Sequence, residues 1–170
     1  MIKVIVVGNG MVGYKFCEKF IAKSGQEKYQ ITVFGEEPRR AYDRVHLSEY
    51  FAGKSADDLS LSTVSWYEEN NILLNTSELI TNINKEEKTI NTHLGKIHTY
   101  DYLVLATGSS AFVPTIEGVD KEGVFVYRTI EDLDAIITQA KKKKKNGATE
   151  AAVLGGGLLG LEAAKAVYDL

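Results

Sequence analysis

The sequence predicts an α/β protein: a parallel sheet flanked by helices, a small antiparallel meander, and the start of a second unit of the first kind. Three observations predict it. Two short apolar runs rich in β-branched residues, IKVIVV and YQITVF, bracket a helical segment, which makes a strand–helix–strand unit. Residues 77–101, SELITNINKEEKTINTHLGKIHTYD, switch to apolar–polar alternation broken by polar turns at NKEE and HLGK. The glycine pattern of VIVVGNGMVG near the front returns as AVLGGGLLG near the end.

Bulk properties allow this architecture and exclude others. A chain of 170 residues with 44% apolar and 25% charged side chains can bury a sizeable core. The net charge of −3 gives no basic surface for nucleic acid. The opening MIKVIVVG is interrupted by glycine too early for a signal peptide or a membrane span, so a cytoplasmic protein is expected. The single cysteine, Cys17, excludes an intrachain disulfide and fits a reducing compartment. In YKFCEKF it reads as a buried structural thiol rather than a reactive one.

The elements follow in order. Residues 2–8 read as a buried strand and 11–23 as a helix with Val12, Phe16 and Phe20 on one face. SGQEK connects to a second buried strand, parallel to the first. VHLSEYF is a candidate short helix. STVSWYEENN is another, with Ser62 or Ser65 as N-cap. ILLN is a short buried strand, and YLVLATG a fully buried one after the meander. TIEDLDAIITQAKKKKKNG is a helix capped by Thr129, with acids in its first turn and lysines in its last, as the macrodipole favours. Lysines 141–145 read as a solvated helix end rather than a phosphate or membrane site. EAAVLGG is again a buried strand, followed by a last helix.

The two glycine patterns carry the chemistry. In Gly8-Asn9-Gly10-Met11-Val12-Gly13, the first glycine permits a tight strand-to-helix turn. The second lets the backbone approach a pyrophosphate, and the third lets the helix pack close to the strand. The helix N-terminus then offers free N–H groups to the anion. Glu36 and Glu37 end the second strand, where a carboxylate meets ribose hydroxyls, so this unit is read as a dinucleotide site rather than a plain turn. Gly155-Gly156-Gly157-Leu158-Leu159-Gly160 repeats the spacing, with Gly155, Gly157 and Gly160 in the same roles. The second strand that would separate NAD from NADP is not in the sequence.

Two such fingerprints around a β-meander resemble the two-dinucleotide flavoprotein reductases. That resemblance implies FAD on the first Rossmann-like unit and NAD(P)H on the second. Ala106-Thr107-Gly108 in YDYLVLATG is similar to the family's second FAD signature. The region AYDRVHLSEYF holds no cysteine, unlike the disulfide, peroxidase and coenzyme A branches. It is similar instead to the rubredoxin-, ferredoxin- and apoptosis-inducing-factor-type reductases, whose pattern is roughly Y-x-R-P-x-L-S-K. Arg44 and Ser48 match that pattern, and Arg44 would pair with FAD phosphate, a contact suited to a guanidinium. Val45, His46 and Glu49 depart from it, so the lysine's flavin contact is not carried over. EEPRRAYDRVHLSEYF and VYRTIEDL together resemble the N-terminal portion of assimilatory NAD(P)H-nitrite reductase large subunits. By the same matching Ile80 would touch adenine through its backbone, Arg128 would approach the flavin and Glu162 would face the nicotinamide.

Plainer readings stand beside these. Arg128 is otherwise a surface ion-pair partner, Glu162 an exposed first-turn acid, and His46 a structural polar residue at a loop-to-helix junction. His93 and His98 have no metal-ligand spacing. The expected division is an FAD-binding segment at 1–115, a connecting segment and helix at 116–148, and an NAD(P)-binding unit entered at 149–170. The family's FAD domain includes a return segment after the NAD(P) unit, and without it weak FAD retention is expected. The resemblance implies electron delivery to an iron–sulfur and sirohaem acceptor, or to a rubredoxin-type partner if the chain belongs to a stand-alone reductase. A nucleotide-binding module without turnover is the alternative from another class.

Overall fold

The computed structural model describes residues 1–24, 27–147 and 150–170. The chain divides into two compact units: Met1–Tyr42 with Ser60–Ser109, and Asp43–Leu59 with Ser110–Leu170.

The first unit is built on β1 (Ile2–Val7), α1 (Met11–Ser24) and β2 (Tyr29–Phe34). Then come α2 (Val64–Glu69), β3 (Ile72–Asn75), β4 (Ile80–Asn84), β5 (Thr89–Thr92), β6 (Ile97–Thr99) and β7 (Tyr102–Leu105). Four strands form a parallel sheet in the order β3-β2-β1-β7, with Val6 opposite both Val33 and Val104. β4-β5-β6 is the antiparallel meander.

The unbroken apolar run of β1 is explained by what covers its two faces. Val4 and Val6 pack with Cys17 of α1, Ile31, Val33 and Tyr67 of α2. Ile5 and Val7 point the other way and pack with Phe34 and with Ile90 of the meander. A strand buried on both faces has no reason to alternate. Cys17 is buried as expected, and burial pushes its thiol up to about 12, which leaves it an inert core group.

Several local expectations need correction. Val12 does not join the apolar face of α1. It is 69% exposed, because it lies in the first turn, beyond the end of β1, and the buried stripe runs through Gly13 and Cys17. The N-cap of α2 is Thr63, with no side-chain capping bond, rather than Ser62 or Ser65. β7 is not fully buried. Among the described residues it pairs with β1 alone, at the edge of the sheet, and Tyr102 and Leu105 are exposed. Gly25 and Gln26 of the first connection lie outside the described residues.

The second unit contains a 3₁₀ turn (Leu47–Tyr50), α3 (Ile130–Lys145) and α4 (Leu158–Tyr168). Thr129 caps α3 in a reciprocal box. Its hydroxyl accepts from Asp132 N at 3.2 Å, and the Asp132 carboxylate accepts from Thr129 N at 2.8 Å. Such a cap contributes about 1 kcal/mol. Lysines 141–145 are exposed, with Lys142 paired to Glu122. The strand expected at 150–156 does not form among the described residues, and Val153 and Leu154 are exposed. A parallel strand needs hydrogen-bonding neighbours, and no described strand of this unit supplies one.

Candidate functional site

The first fingerprint is held by contacts that tolerate no side chain. Gly8 sits at φ +110°, and a Cβ there would lie 2.2 Å from the Ala106 carbonyl oxygen. Its N–H donates to Phe34 O at 2.8 Å, and Ala106 N donates to Val7 O at 2.7 Å. The ATG segment is thereby laid directly against the turn, with Thr107 and Gly108 exposed. A Cβ on Gly13 would lie 2.0 Å from the Gly8 carbonyl oxygen, so α1 begins on top of the turn. Gly10 differs, since a Cβ there would meet nothing within 4 Å. The second position therefore borders open space at the N-terminus of α1, where unpaired N–H groups favour an anion.

Neighbouring residues brace this turn. The Asn9 side chain donates to Arg39 O and accepts from the Tyr67 hydroxyl, both at 3.1 Å. Its amide therefore ties the turn to Arg39 and to α2. Of the two acids after β2, Glu37 accepts from the Tyr42 hydroxyl at 2.7 Å, whereas Glu36 is exposed. The backbone of 77–78 is tied to the same loop, with Ser77 N donating to Glu37 O and Glu78 N to Gly35 O. This fixes Ile80, half-buried against the meander core, close in sequence to that tie. Tyr67, Tyr42 and Gly35 were not singled out from sequence, because each is meaningful only through a distant partner.

In the second unit, the predicted residues Arg44, Ser48, Arg128 and Glu162 lie on or beside the 3₁₀ turn, α3 and α4. Arg44 donates to Arg128 O at 3.0 Å, and Arg128 N donates to Asp132 at 3.1 Å, so both arginines are anchored to the start of α3. The Tyr127 ring stacks on Phe51 with centroids 6.0 Å apart and an 8° interplanar angle. Ser48 and Glu162 lie on the 3₁₀ turn and α4, two elements that pack together in this unit. Tyr50 donates to Asp134 at 2.7 Å, tying the same turn to α3. Glu49 is paired with Lys54 at 2.5 Å. The second fingerprint shares two features of the first: Gly155 has φ +126°, and a Cβ on Gly160 would lie 1.9 Å from the Gly155 carbonyl oxygen; a Cβ on Gly155 itself, unlike one on Gly8, would meet nothing within 4 Å. Leu158 and Leu159 are exposed.

His46 Nδ1 lies 2.7 Å from Asp43 Oδ2, while Asp43 Oδ1 accepts from Val45 N at 2.8 Å. The hydrogen bond and charge of Asp43 raise the imidazole above its ordinary value. Burial opposes ionisation of Asp43, but its bonds from His46 and Val45 prevail and lower it. The raised imidazole contributes fully below its unfolded value of about 6.5 and is lost as pH rises through the folded one. The lowered carboxylate contributes above its ordinary range and is lost as pH falls through its folded value. We expect the His46 ring resonances to titrate above those of an unfolded peptide, and Asp43→Asn to return them; an unchanged midpoint in that variant would refute the pairing.

Among the described residues no cluster of His, Cys, Asp and Glu could hold a metal, and no helix is long and apolar enough to cross a membrane.

Comparisons with known proteins agree with this geometry. The family model for pyridine nucleotide-disulphide oxidoreductases matches residues 2–170. The chain is 47% identical over 169 residues to the nitrite reductase (NADH) large subunit of Escherichia coli (strain K12), covering 99% of this chain and 19% of that protein. It is 43% identical to nitrite reductase [NAD(P)H] of Bacillus subtilis (strain 168), again over 99% of this chain and 20% of that protein. The match is to the N-terminal part of these subunits, and the chain spans about a fifth of their length. Among solved structures, NADH:rubredoxin oxidoreductase from Clostridium acetobutylicum is 32% identical with a TM-score of 0.80, covering 98% of this chain and 42% of that one. A NAD-dependent persulfide reductase from A. fulgidus has a TM-score of 0.86 at 29% identity, covering 99% and 32%. With the fold, both glycine turns and the whole length matched, the chain belongs to the pyridine nucleotide-disulphide oxidoreductase family of NAD(P)H-dependent flavoproteins.

Proposed function

We propose that the chain is the FAD- and NAD(P)H-binding part of a nitrite reductase large subunit, delivering electrons to an iron–sulfur and sirohaem acceptor in a reducing, cytoplasmic setting. The observation that carries this reading is the first glycine turn, closed tightly at Gly8 and Gly13 and open at Gly10. A turn that packs against nothing at Gly10 while Gly8 and Gly13 are locked has the shape a dinucleotide phosphate requires. The identity to nitrite reductases, 47% and 43%, favours that acceptor over a rubredoxin-type partner, for which the matched reductase stands at 32%.

FAD, when bound, would accept a hydride from the nicotinamide and release electrons singly. The residues hold and orient. Gly10 and the first N–H groups of α1 would receive the diphosphate, Glu36 the ribose, and the Ile80 backbone the adenine. Ala106, Thr107 and Gly108 border the same turn. By family resemblance Arg44, Ser48 and Arg128 are assigned to the flavin, and Glu162 to the nicotinamide. No side chain is required as a general base.

The test is to titrate FAD into the purified chain, follow its binding at equilibrium, and record the visible spectrum before and after anaerobic NADH or NADPH. Bound oxidised flavin that bleaches with a nicotinamide is expected. A colourless protein that takes up no added FAD excludes the reading, and flavin that binds but never bleaches reduces it to a nucleotide-binding module.

A further inference from the structure

The sequence contains Asn-Gly twice, at Asn9-Gly10 and at Asn146-Gly147. In this dipeptide an asparagine side chain is most open to attack by its own backbone. The following residue has no side chain to obstruct the approach of its nitrogen, and it has the freest backbone with which to make that approach. The fold gives the two pairs opposite surroundings.

Asn9 is enclosed. Its amide nitrogen donates to Arg39 O and its amide oxygen accepts from the Tyr67 hydroxyl, both at 3.1 Å. Tyr67 is buried, and Gly35 lies so close that a Cβ there would sit 2.7 Å from Asn9 Cβ. The amide carbon Cγ is thus held through both of its polar atoms, and those bonds must break before it can meet Gly10 N. Asn146 is the exposed C-cap residue of α3. Its backbone N–H is engaged with Lys143 O and Lys144 O, but among the described residues its side chain has no hydrogen-bond partner. Gly147 N donates to Lys144 O at 3.1 Å, a bond of the last turn, where helices fray. The exposed lysines 141–145 set positive charge beside it. That charge offsets the negative end of the helix dipole and favours loss of an N–H proton.

We infer that Asn146 is a site of spontaneous deamidation, and that the Tyr67 hydroxyl and Arg39 O guard Asn9 against the same reaction. At Asn146, Gly147 N gives up its proton to solvent and attacks Cγ. The N–Cγ bond forms, the Cγ–Nδ2 bond breaks, and the amide nitrogen leaves as ammonia. Water then opens the cyclic imide at either carbonyl, giving aspartate or isoaspartate. No electron is transferred, and water is the one co-reactant. At Asn9 the same product would carry negative charge into the turn where the FAD diphosphate is proposed to dock, and repel it. The modification itself does not rest on that reading.

The deciding experiment is peptide mapping by mass spectrometry after incubation in mildly alkaline buffer, on the folded chain and on the same chain in guanidinium chloride. No cofactor is needed, so the result is independent of the nucleotide reading. In the folded chain Asn146 should convert at least about tenfold faster than Asn9, a factor that two hydrogen bonds supply. In denaturant the two sites should convert at similar rates. Isoaspartate among the products identifies the imide route. Tyr67→Phe keeps the ring in the core and removes one of the two bonds. It should speed conversion of Asn9 about three- to tenfold, the range for one hydrogen bond, and leave Asn146 unchanged. General loosening of the variant would show at both sites; the folded and denatured rates of the unmodified chain then decide. Similar rates at the two sites in the folded chain, or a difference that persists in denaturant, would overturn the proposal. So would an Asn9 that stays inert in a folded Tyr67→Phe variant.

Discussion

Gly8→Ala is expected to destabilise the first unit by about 3–5 kcal/mol, enough to abolish a marginally stable fold. Two costs add at this residue. The backbone at φ +110° lies where an L-side chain is strained, and the new Cβ would sit 2.2 Å from Ala106 O and 2.5 Å from its carbonyl carbon. Both neighbours are backbone of the segment joined to β1 through Ala106 N and Val7 O. Relief therefore requires β7 to move off β1, and among the described residues β7 already has only that one partner. Gly95→Ala is the control. Its φ is +77°, but its Cβ would meet nothing within 4 Å. It should cost only the left-handed backbone term, about 1–2 kcal/mol. Urea midpoints of the two variants measure the difference. Equal losses would show that the contact with Ala106 is not what makes Gly8 necessary.

What could be read from sequence, and what could not, follows the range of the interactions. β1, α1 and β2 were legible because composition, period and glycine turns are properties of a few adjacent residues. The meander was legible for the same reason: alternation along 77–101 records one face on Ile5, Val7 and Phe34 and the other in solvent. The α3 cap was legible because Thr129 and Asp132 are three residues apart. The exposure of β7 was not, since its sequence matches an interior strand and only the sheet order makes it an edge. The strand at 150–156 failed similarly, its hydropathy being that of a strand but its pairing depending on neighbours elsewhere.

The candidate site shows the same division. The spacing of Gly8, Gly10 and Gly13 was visible, and the structure adds that only Gly10 faces open space. Glu36 and Glu37 looked equivalent until Tyr42 was found on Glu37. Asn9 was grouped with the cofactor residues, and the structure adds that its amide bonds to Arg39 O and the Tyr67 hydroxyl. Tyr127 carried no signal at all. Its stacking partner Phe51 lies far away along the chain, and no local pattern distinguishes it from the other tyrosines.

The contrast between Gly8 and Gly10 yields the second large effect, on binding instead of folding. Gly10 lacks the positive φ of Gly8, so its backbone accepts a side chain, and its Cβ direction is empty to 4 Å. Gly10→Ala and Gly10→Val should therefore fold with urea midpoints close to that of the unmodified chain. If the diphosphate of FAD approaches this backbone, the added carbons occupy its place and separate it from the N–H groups of α1. Losing a charge-assisted hydrogen bond of that kind costs about 1.5–3 kcal/mol, or roughly a ten- to hundredfold weakening of FAD binding. The valine should weaken it more than the alanine, because steric exclusion grows with volume while any loss of backbone freedom is shared. Flavin titration on the two folded variants reads this directly. FAD affinity untouched by either substitution would mean that the open space beside Gly10 is not where the phosphate lies. Gly157 offers the parallel test on the second fingerprint: its Cβ direction is equally empty, and Gly157→Val should weaken NADH binding while leaving FAD in place. A loss of both ligands together would argue that the two turns do not serve separate nucleotides.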